Sequence, residues 1–387
     1  MTRLGVGLIS VGWMGRAHSR AYRNVREHFP ELTLRPELVV AADLAERGRA
    51  EAVDLLGYGR AVADYREVLA DPAVDVVSIC APNFLHREMA LAAAEAGKPF
   101  WIEKPMGRGL EESSEIAQAA QDAGILTCVG FNYRNAPAIE VARQLVADGR
   151  LGAVTNVRVS FLADYSSDPE APLMWRFNRE RAGSGVYGDL LSHGFDLASY
   201  VTGQAVREVS AAQATYLASR PVLVGAAVGH SAMGGDERGP VENEDYAAVI
   251  ARLDGGALAV FESSRIAVGP RAEYVIDVYG TGGSLRWDFQ RLNELQVAFR
   301  SAPRADYATW FMGPGDGPHG RFQPGAGTSM GFDDLKTIEA SLFLRSLETG
   351  VQHGPSVVDG LAAARVADAA ERSGASAQWV PVPASAP

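Results

Sequence analysis

Asp189 and His193 stand four residues apart in the run Gly183-Ser184-Gly185-Val186-Tyr187-Gly188-Asp189-Leu190-Leu191-Ser192-His193. On an α-helix this spacing puts a carboxylate and an imidazole on one face, about one turn apart. A carboxylate that close raises the histidine pKa and orients the ring, so the pair can take or give a proton near neutral pH. The same spacing also describes an exposed helical ion pair without chemistry. A second pattern lies at the N-terminus, where Ser10-Val11-Gly12-Trp13-Met14-Gly15 follows the apolar run Leu4–Ile9. A Gly-x-Gly-x-x-Gly turn between strand and helix lets the backbone approach a pyrophosphate. Gly12 and Gly15 supply two of its three glycines. Ser10 replaces the first, and a seryl residue takes positive φ only at a cost. Asp43 ends the second apolar run, Glu37–Asp43, where a carboxylate can accept from an adenosine ribose and repel a 2′-phosphate. An N-cap for the following helix is the other reading of Asp43. A tight strand–helix turn that binds no nucleotide is the other reading of the glycines.

The elements that must position these residues alternate. Short apolar runs at 4–9, 37–43, 74–80, 99–102 and 125–129 read as buried strands. Helical spacing covers 13–27, 45–56, 85–96 and 110–123, with Gly97 and Gly124 as stops. This alternation predicts a doubly wound parallel sheet, an α/β fold. After a helix at 138–147 the pattern changes. Strands at 157–161, 206–217, 246–253, 257–266, 274–279 and 284–289 follow one another with few helices between them, which predicts an α+β domain with a mostly antiparallel sheet. Helices at 332–348 and 357–372 close the chain. Residues 313–328, rich in Gly and Pro, read as a long surface loop, and the final PVPASAP as a frayed tail. The domain division expected is 1–131 and 132–387.

Composition narrows the class. The 387 residues are 47% hydrophobic and 21% charged, enough apolar material for two cores and too much for a disordered chain. Lys plus Arg number 36 against 47 Asp plus Glu, a net charge of −11 that argues against nucleic acid or anionic lipid as a partner. Two cysteines, Cys80 and Cys128, exclude a disulfide framework and read as reduced core thiols. There is no leader-like N-terminus and no run of ~20 apolar residues, so a cytoplasmic protein is expected. The seven histidines, His18, His28, His86, His193, His230, His319 and His353, form no ligand cluster beyond Asp189/His193, so no metal is expected.

Three segments, Glu103-Lys104-Pro105, Gly130-Phe131-Asn132-Tyr133-Arg134 and Ala182–Leu197, occur in this order behind the N-terminal turn. Together they resemble the Gfo/Idh/MocA family of oxidoreductases. The resemblance is closest from Gly5 to about Gly203. It implies an N-terminal Rossmann domain followed by a domain with a large open sheet, which in this family pairs face to face into dimers and tetramers. It implies NAD as cofactor, with NADP possible because Arg47 and Arg49 lie near Asp43. Trp175-Arg176-Phe177 with Asp164 upstream looks most like the inositol and pyranose dehydrogenases, levoglucosan dehydrogenases among them.

The resemblance also implies roles. Lys104, Asp189 and His193 are the catalytic set: His193 takes the hydroxyl proton, Lys104 bonds the same oxygen, and Asp189 binds a substrate hydroxyl and tunes His193. Whether Lys104 or His193 finally holds the proton stays open. Ser10, Gly12, Trp13, Met14, Gly15 and Asp43 hold the adenosine and pyrophosphate half of the cofactor. Ala81, Pro82, Asn83, His86, Glu103 and Lys104 are expected at the nicotinamide half. Tyr133, Arg134, Asp164, Tyr165, Trp175 and Arg176 form the substrate wall, with aromatic faces and charged groups suited to a sugar; core packing or ion pairing is the other reading of each. The activity expected is hydride transfer from a secondary hydroxyl of a cyclic polyol or pyranose. The alternatives are a catalytically silent nucleotide-binding regulator of the same fold, favoured by Ser10, and an enzyme that retains its cofactor between turnovers.

Overall fold

A computed structural model describes residues 1–228 and 231–384. His230 and the last three residues of the tail lie outside the described residues. The chain divides into two compact units, one of residues 1–132 and 331–361, the other of residues 133–330 and 362–387. Residues 331–361, which chain order assigns to the second domain, therefore belong to the first.

The first unit alternates β1 (Thr2–Ile9), α1 (Trp13–His28), β2 (Leu34–Ala42), α2 (Glu46–Asp54), β3 (Arg60–Val62), α3 (Tyr65–Ala70), β4 (Val76–Ile79), α4 (Asn83–Glu95), β5 (Phe100–Ile102), α5 (Leu110–Asp122) and β6 (Thr127–Val129). The six strands are parallel in the order β3-β2-β1-β4-β5-β6. This is the doubly wound arrangement that alternating runs predict, and its order reverses between β1 and β4. Its central strands carry continuous apolar runs because helices cover both faces. Val76, Val77, Ile79, Phe100, Trp101 and Ile102 are all buried.

The second unit holds α6 (Pro137–Ala147), β7 (Val154–Ala163), α7 (Arg179–Ala182) and α8 (Ser192–Thr202). Then come β8 (Val206–Ala214), β9 (Ser219–Val228), β10 (Ser231–Pro240), β11 (Tyr246–Leu253), β12 (Leu258–Ser264), β13 (Ala272–Gly280), β14 (Gly283–Asp288), β15 (Glu294–Phe299) and β16 (Ala308–Phe311). A short helix, α9 (His319–Phe322), falls inside the stretch expected to be a surface loop, and His319 is buried there. The helix α10 (Phe332–Thr349) and the start of α11 (Val357–Ser376) belong to the first unit, whereas the rest of α11 and the strand β17 (Val380–Pro381) belong to the second. Nine strands form one sheet in the order β16-β15-β14-β13-β7-β12-β11-β8-β17. All its pairings are antiparallel except β12 with β7. The hairpin of β9 and β10 is separate, and composition gave no strand signal there because glycines and charges fill β10.

The helix expected to carry Asp189 and His193 is not a continuous α-helix. Tyr187–Leu191 is a π turn, and α8 begins only at Ser192. A π turn spaces its hydrogen bonds five residues apart and rotates successive side chains differently from an α-helix. The four-residue spacing therefore does not by itself stack Asp189 over His193, and a helical reading of spacing alone could not detect the bulge.

Ser10 also departs from expectation. It adopts φ 76, the left-handed conformation that the missing glycine would favour. Its N–H donates to the Ala42 carbonyl at 2.8 Å, which ties the turn to the end of β2. A seryl residue held there stores strain of ~1–2 kcal/mol, partly offset by the entropy a glycine would lose. Ser10→Gly is expected to raise unfolding stability by about 0.5–1 kcal/mol, read as a higher urea midpoint at unchanged slope.

Candidate active site

In the first unit the turn after β1 is built to receive an anion. A Cβ on Gly15 would lie 2.3 Å from the Ser10 carbonyl oxygen, so only glycine lets α1 pack this close. A Cβ on Gly12 would meet nothing within 4 Å, which leaves open space in front of the helix. The N-terminus of α1 has no side-chain cap and no acidic residue in its first turn. Its free N–H groups and helix dipole thus suit a pyrophosphate. Trp13, exposed beside this turn, stacks on Phe332 with ring centroids 5.3 Å apart, and Met14 is half-buried.

Asp43 is more than a strand-end acid. Its Oδ2 accepts from the Val11 N–H at 2.7 Å and its Oδ1 from the Ala45 N–H at 2.8 Å, so it pins the glycine turn to the end of β2. The N-cap of α2 is Ala45 rather than Asp43. Gly48 permits this packing, since a Cβ there would lie 2.7 Å from Asp43 Cγ. Arg49 donates to the Asp43 and Leu44 carbonyls, each at 2.8 Å. These residues could hold the adenosine half of NAD, and a carboxylate at Asp43 would repel a 2′-phosphate brought close to it.

On the other side of the strand-order reversal, Pro82 caps α4, Asn83 is its first residue and Ala81 is buried. His86, expected to face the cofactor cleft, is buried with a backbone carbonyl near each ring nitrogen. Its Nδ1 lies 2.9 Å from the Pro105 carbonyl and its Nε2 2.8 Å from the Ala81 carbonyl. Burial pulls His86 below the usual histidine value. It staples the loop after β4 to the segment that carries Lys104. Glu103, at the end of β5, is buried in an ionic cluster. Its Oε1 lies 2.5 Å from Lys336 Nζ and 2.8 Å from His18 Nε2, and Lys336 Nζ lies 2.8 Å from Glu339 Oε2. His18 stacks on Trp101 and meets Ser78 Oγ at 3.1 Å through Nδ1. Burial opposes the Glu103 charge, yet Lys336 and His18 hold its carboxyl well below the usual range.

In the second unit His193 is buried in an aromatic setting. Tyr133 packs edge-on against its ring at 4.7 Å, and Phe161 and Tyr274 lie at 6.2 and 6.4 Å. The Tyr274 hydroxyl donates to the His193 carbonyl at 2.8 Å. Tyr133 therefore positions the imidazole from within the core. The Tyr165 hydroxyl donates to Asp189 Oδ2 at 2.6 Å. Burial of that hydroxyl and the Asp189 charge push the phenol pKa up, which keeps the proton on Tyr165. Arg134 forms a two-pronged pair with Asp196, through Nε to Oδ2 at 2.7 Å and Nη2 to Oδ1, and lies over Tyr200. The Arg134 guanidinium thus serves an ion pair inside this unit. Asp164 pairs with Arg271 at 3.2 Å, and the Arg176 guanidinium lies 4.4 Å from the Trp175 ring centroid.

A stretch that sequence reasoning passed over organises these pieces. Glu242, Asn243, Glu244 and Asp245 join β10 to β11. Glu242 accepts from Asn178 Nδ2 and the Arg179 N–H, each at 2.8 Å. Asn243 donates to the Arg176 carbonyl at 2.8 Å and to the Ser184 carbonyl at 3.2 Å. Glu244 Oε1 accepts from the Gly185 and Tyr187 N–H groups at 2.7 and 3.1 Å, fixing the start of the π turn. Asp245 Oδ1 pairs with the buried Arg265 at 2.9 Å. Lys104 belongs to the first unit, Asp189 and His193 to the second. Among the described residues no group of three metal-ligating side chains occurs, and no helix is long and apolar enough to cross a membrane.

Comparison with known proteins decides the family. Residues 4–131 match the model described as an oxidoreductase family with an NAD-binding Rossmann fold, and residues 139–286 match the GFO/IDH/MocA C-terminal domain. Levoglucosan dehydrogenase of Pseudarthrobacter phenanthrenivorans is 37% identical, over 99% of this chain and 99% of that protein. The chain belongs to the GFO/IDH/MocA oxidoreductase family. A solved levoglucosan dehydrogenase in complex with NADH and levoglucosan superposes with TM-score 0.93 at 36% identity, over 99% of this chain and 100% of that one. An oxidoreductase domain protein from Kribbella flavida gives TM-score 0.92 at 38% identity, over 99% of this chain and 100% of that one. As a GFO/IDH/MocA protein the chain is an NAD-dependent oxidoreductase. The turn at Gly12 and Asp43 are the residues that could hold NAD, which when bound would supply the hydride acceptor.

The Glu103 cluster also sets how stability depends on pH. Burial pushes His18 down to about 4, so its contribution is complete above about pH 6.5 and is lost as pH falls through about 4. Burial pushes Glu339 up to about 7, so its contribution is complete below about pH 4.5 and is lost as pH rises through about 7. The two oppose each other between about pH 4.5 and 6.5, each worth up to ~3 kcal/mol. His18→Asn is expected to leave stability falling as pH rises through this window. Glu339→Gln is expected to leave it falling as pH drops. Urea melts at half-unit pH steps check both slopes.

Proposed function

We propose that this oxidoreductase oxidises a secondary hydroxyl of a pyranose or cyclic polyol, with a levoglucosan-like anhydro sugar as the first candidate. The observation that carries this reading is the full-length likeness to levoglucosan dehydrogenase. The chain's own residues support it. His193, its ring held by Tyr133, takes the hydroxyl proton. Asp189, fixed by the Tyr165 hydroxyl, accepts from a substrate hydroxyl and favours the charged imidazole. Lys104 bonds the reacting oxygen and stabilises its developing charge. Trp175, Arg176 and Asp164 form the wall that reads the ring. Ser10, which favoured a silent nucleotide-binding protein, adopts the turn conformation and leaves the loop fit for a cofactor.

Lys104→Ala and His193→Ala are each expected to lower kcat by about 10²–10⁴-fold while NAD binding persists. NADH absorbance with levoglucosan, myo-inositol, scyllo-inositol, glucose, galactose and xylose reads this out. Activity on none of them, with NAD still bound, would reject the substrate class and leave the family intact.

A homo-oligomer through the open face of the nine-stranded sheet is part of the proposal. Ile250 lies opposite Val260 in the β11–β12 register, and Leu258 stands two residues along the same face. These three aliphatic side chains are 40–50% exposed. Aliphatic side chains on an exposed sheet face suit a partner sheet. Ile250→Glu combined with Val260→Glu is expected to shift the mass measured by light scattering towards the monomer.

A further inference from the structure

Lys336 and Glu339 sit one turn apart on α10, and both are fully buried in the first unit. Neither hydride transfer nor the family motifs assign them a task. Lys336 and His18 both meet Oε1 of Glu103, whereas Oε2 accepts no hydrogen bond in the structure. A Cβ on Gly130 would lie 2.6 Å from each Glu103 oxygen, so a bare backbone flanks the carboxylate. The cluster thus holds two carboxylates against one ammonium. Glu339 Oε1 is buried with the Trp101 indole N–H as its nearby donor.

This cluster lies at the carboxyl ends of the strands, where a doubly wound sheet binds its ligand. The inference rests on the proposed cofactor reading, in which Asp43 and the α1 N-terminus would take the adenosine and pyrophosphate on the β1–β2 side and the nicotinamide half would extend over β4 and β5. Glu103 follows β5 directly, two strand spacings or about 10 Å from β1. The nicotinamide ring is positively charged in NAD+ and neutral in NADH. We infer that the Glu339–Lys336–Glu103 cluster makes this chain favour NAD+ over NADH, with Glu339 as the variable charge.

The groups facing Glu339 leave it as the one that changes near neutral pH. Burial opposes the Lys336 charge, but Glu103 and Glu339 hold its pKa above the usual lysine value. Glu103 stays ionised and His18 neutral. The Cys80 and Cys128 thiols are pushed up by burial and by these carboxylates. The Trp101 indole N–H favours the charged form of Glu339, and Asp359 raises the Cys128 thiol.

The test is the dissociation constants of NAD+ and NADH for the full chain, measured by calorimetry from pH 6 to 8. The ratio Kd(NADH)/Kd(NAD+) is expected to rise about fivefold over this range, the order of magnitude of one added charge screened within a protein. In Glu339→Gln it is expected to stay flat at the low-pH value. A merely structural role would weaken both forms together and leave the ratio unchanged. A flat ratio in the unaltered chain, or an undiminished rise in Glu339→Gln, overturns the inference. Should Glu339→Gln not fold, the His193→Ala chain decides. A rise that persists there supports the cluster, and its loss assigns the titration to His193 and overturns the inference. Binding of neither form would reject NAD binding itself.

Discussion

One buried ammonium, Lys336, sits between two buried carboxylates, and the cofactor end of the first unit depends on it. Glu103 could not remain charged at the end of β5 without a partner, because an isolated carboxylate in an apolar interior loses its hydration. Lys336 supplies that partner from α10, more than two hundred residues later in the chain. His18 adds a neutral N–H from α1, the same helix whose N-terminus faces the pyrophosphate position. The glycine turn, the strand end before Lys104 and the returning helix are thereby joined through one carboxylate oxygen. That coupling explains why residues 331–361 belong to the first unit.

The second unit solves a similar problem with backbone instead of charge pairs. The π turn that carries Asp189 leaves its first N–H groups without partners inside the helix. Glu244 accepts the first of them, from Tyr187, together with the Gly185 N–H just ahead of the turn, and Asn243 links the same region to the carbonyl of Arg176. The Asp189 carboxylate and the Trp175–Arg176 wall are thus referred to one short connection between β10 and β11. The His193 ring is also packed by aromatic edges and faces from Tyr133, Phe161 and Tyr274.

The division of labour between the units follows from their sheets. A parallel sheet covered on both faces offers a rigid edge of strand ends, suited to a long dinucleotide. A large, mostly antiparallel sheet has one face to carry helices and another to meet water or a partner chain. The helices α6 and α8 lie in this second unit, and the loops around residues 164–184 carry the Trp175, Arg176 and Asp164 side chains proposed to read the substrate.

The sequence by itself determined the class of each unit, because periodicity and stop residues such as Gly97 and Gly124 report burial and chain reversal locally. It also placed Gly12, Gly15, Asp43, Lys104, Asp189 and His193 at strand ends or in the helical segment, since those motifs act through neighbours in the chain. Only the tertiary structure decided the rest. It showed that Ser10 takes the left-handed turn, that His86 and Arg134 are spent on Ala81, Pro105 and Asp196, and that a π turn separates Asp189 from α8. It also brought Lys336, with Glu339 one turn further along α10, into the interior as the buried partner of Glu103. Each of these depends on groups distant in sequence or on hydrogen bonds that register shifts redirect. Residue type and spacing carry no record of which distant partner arrives.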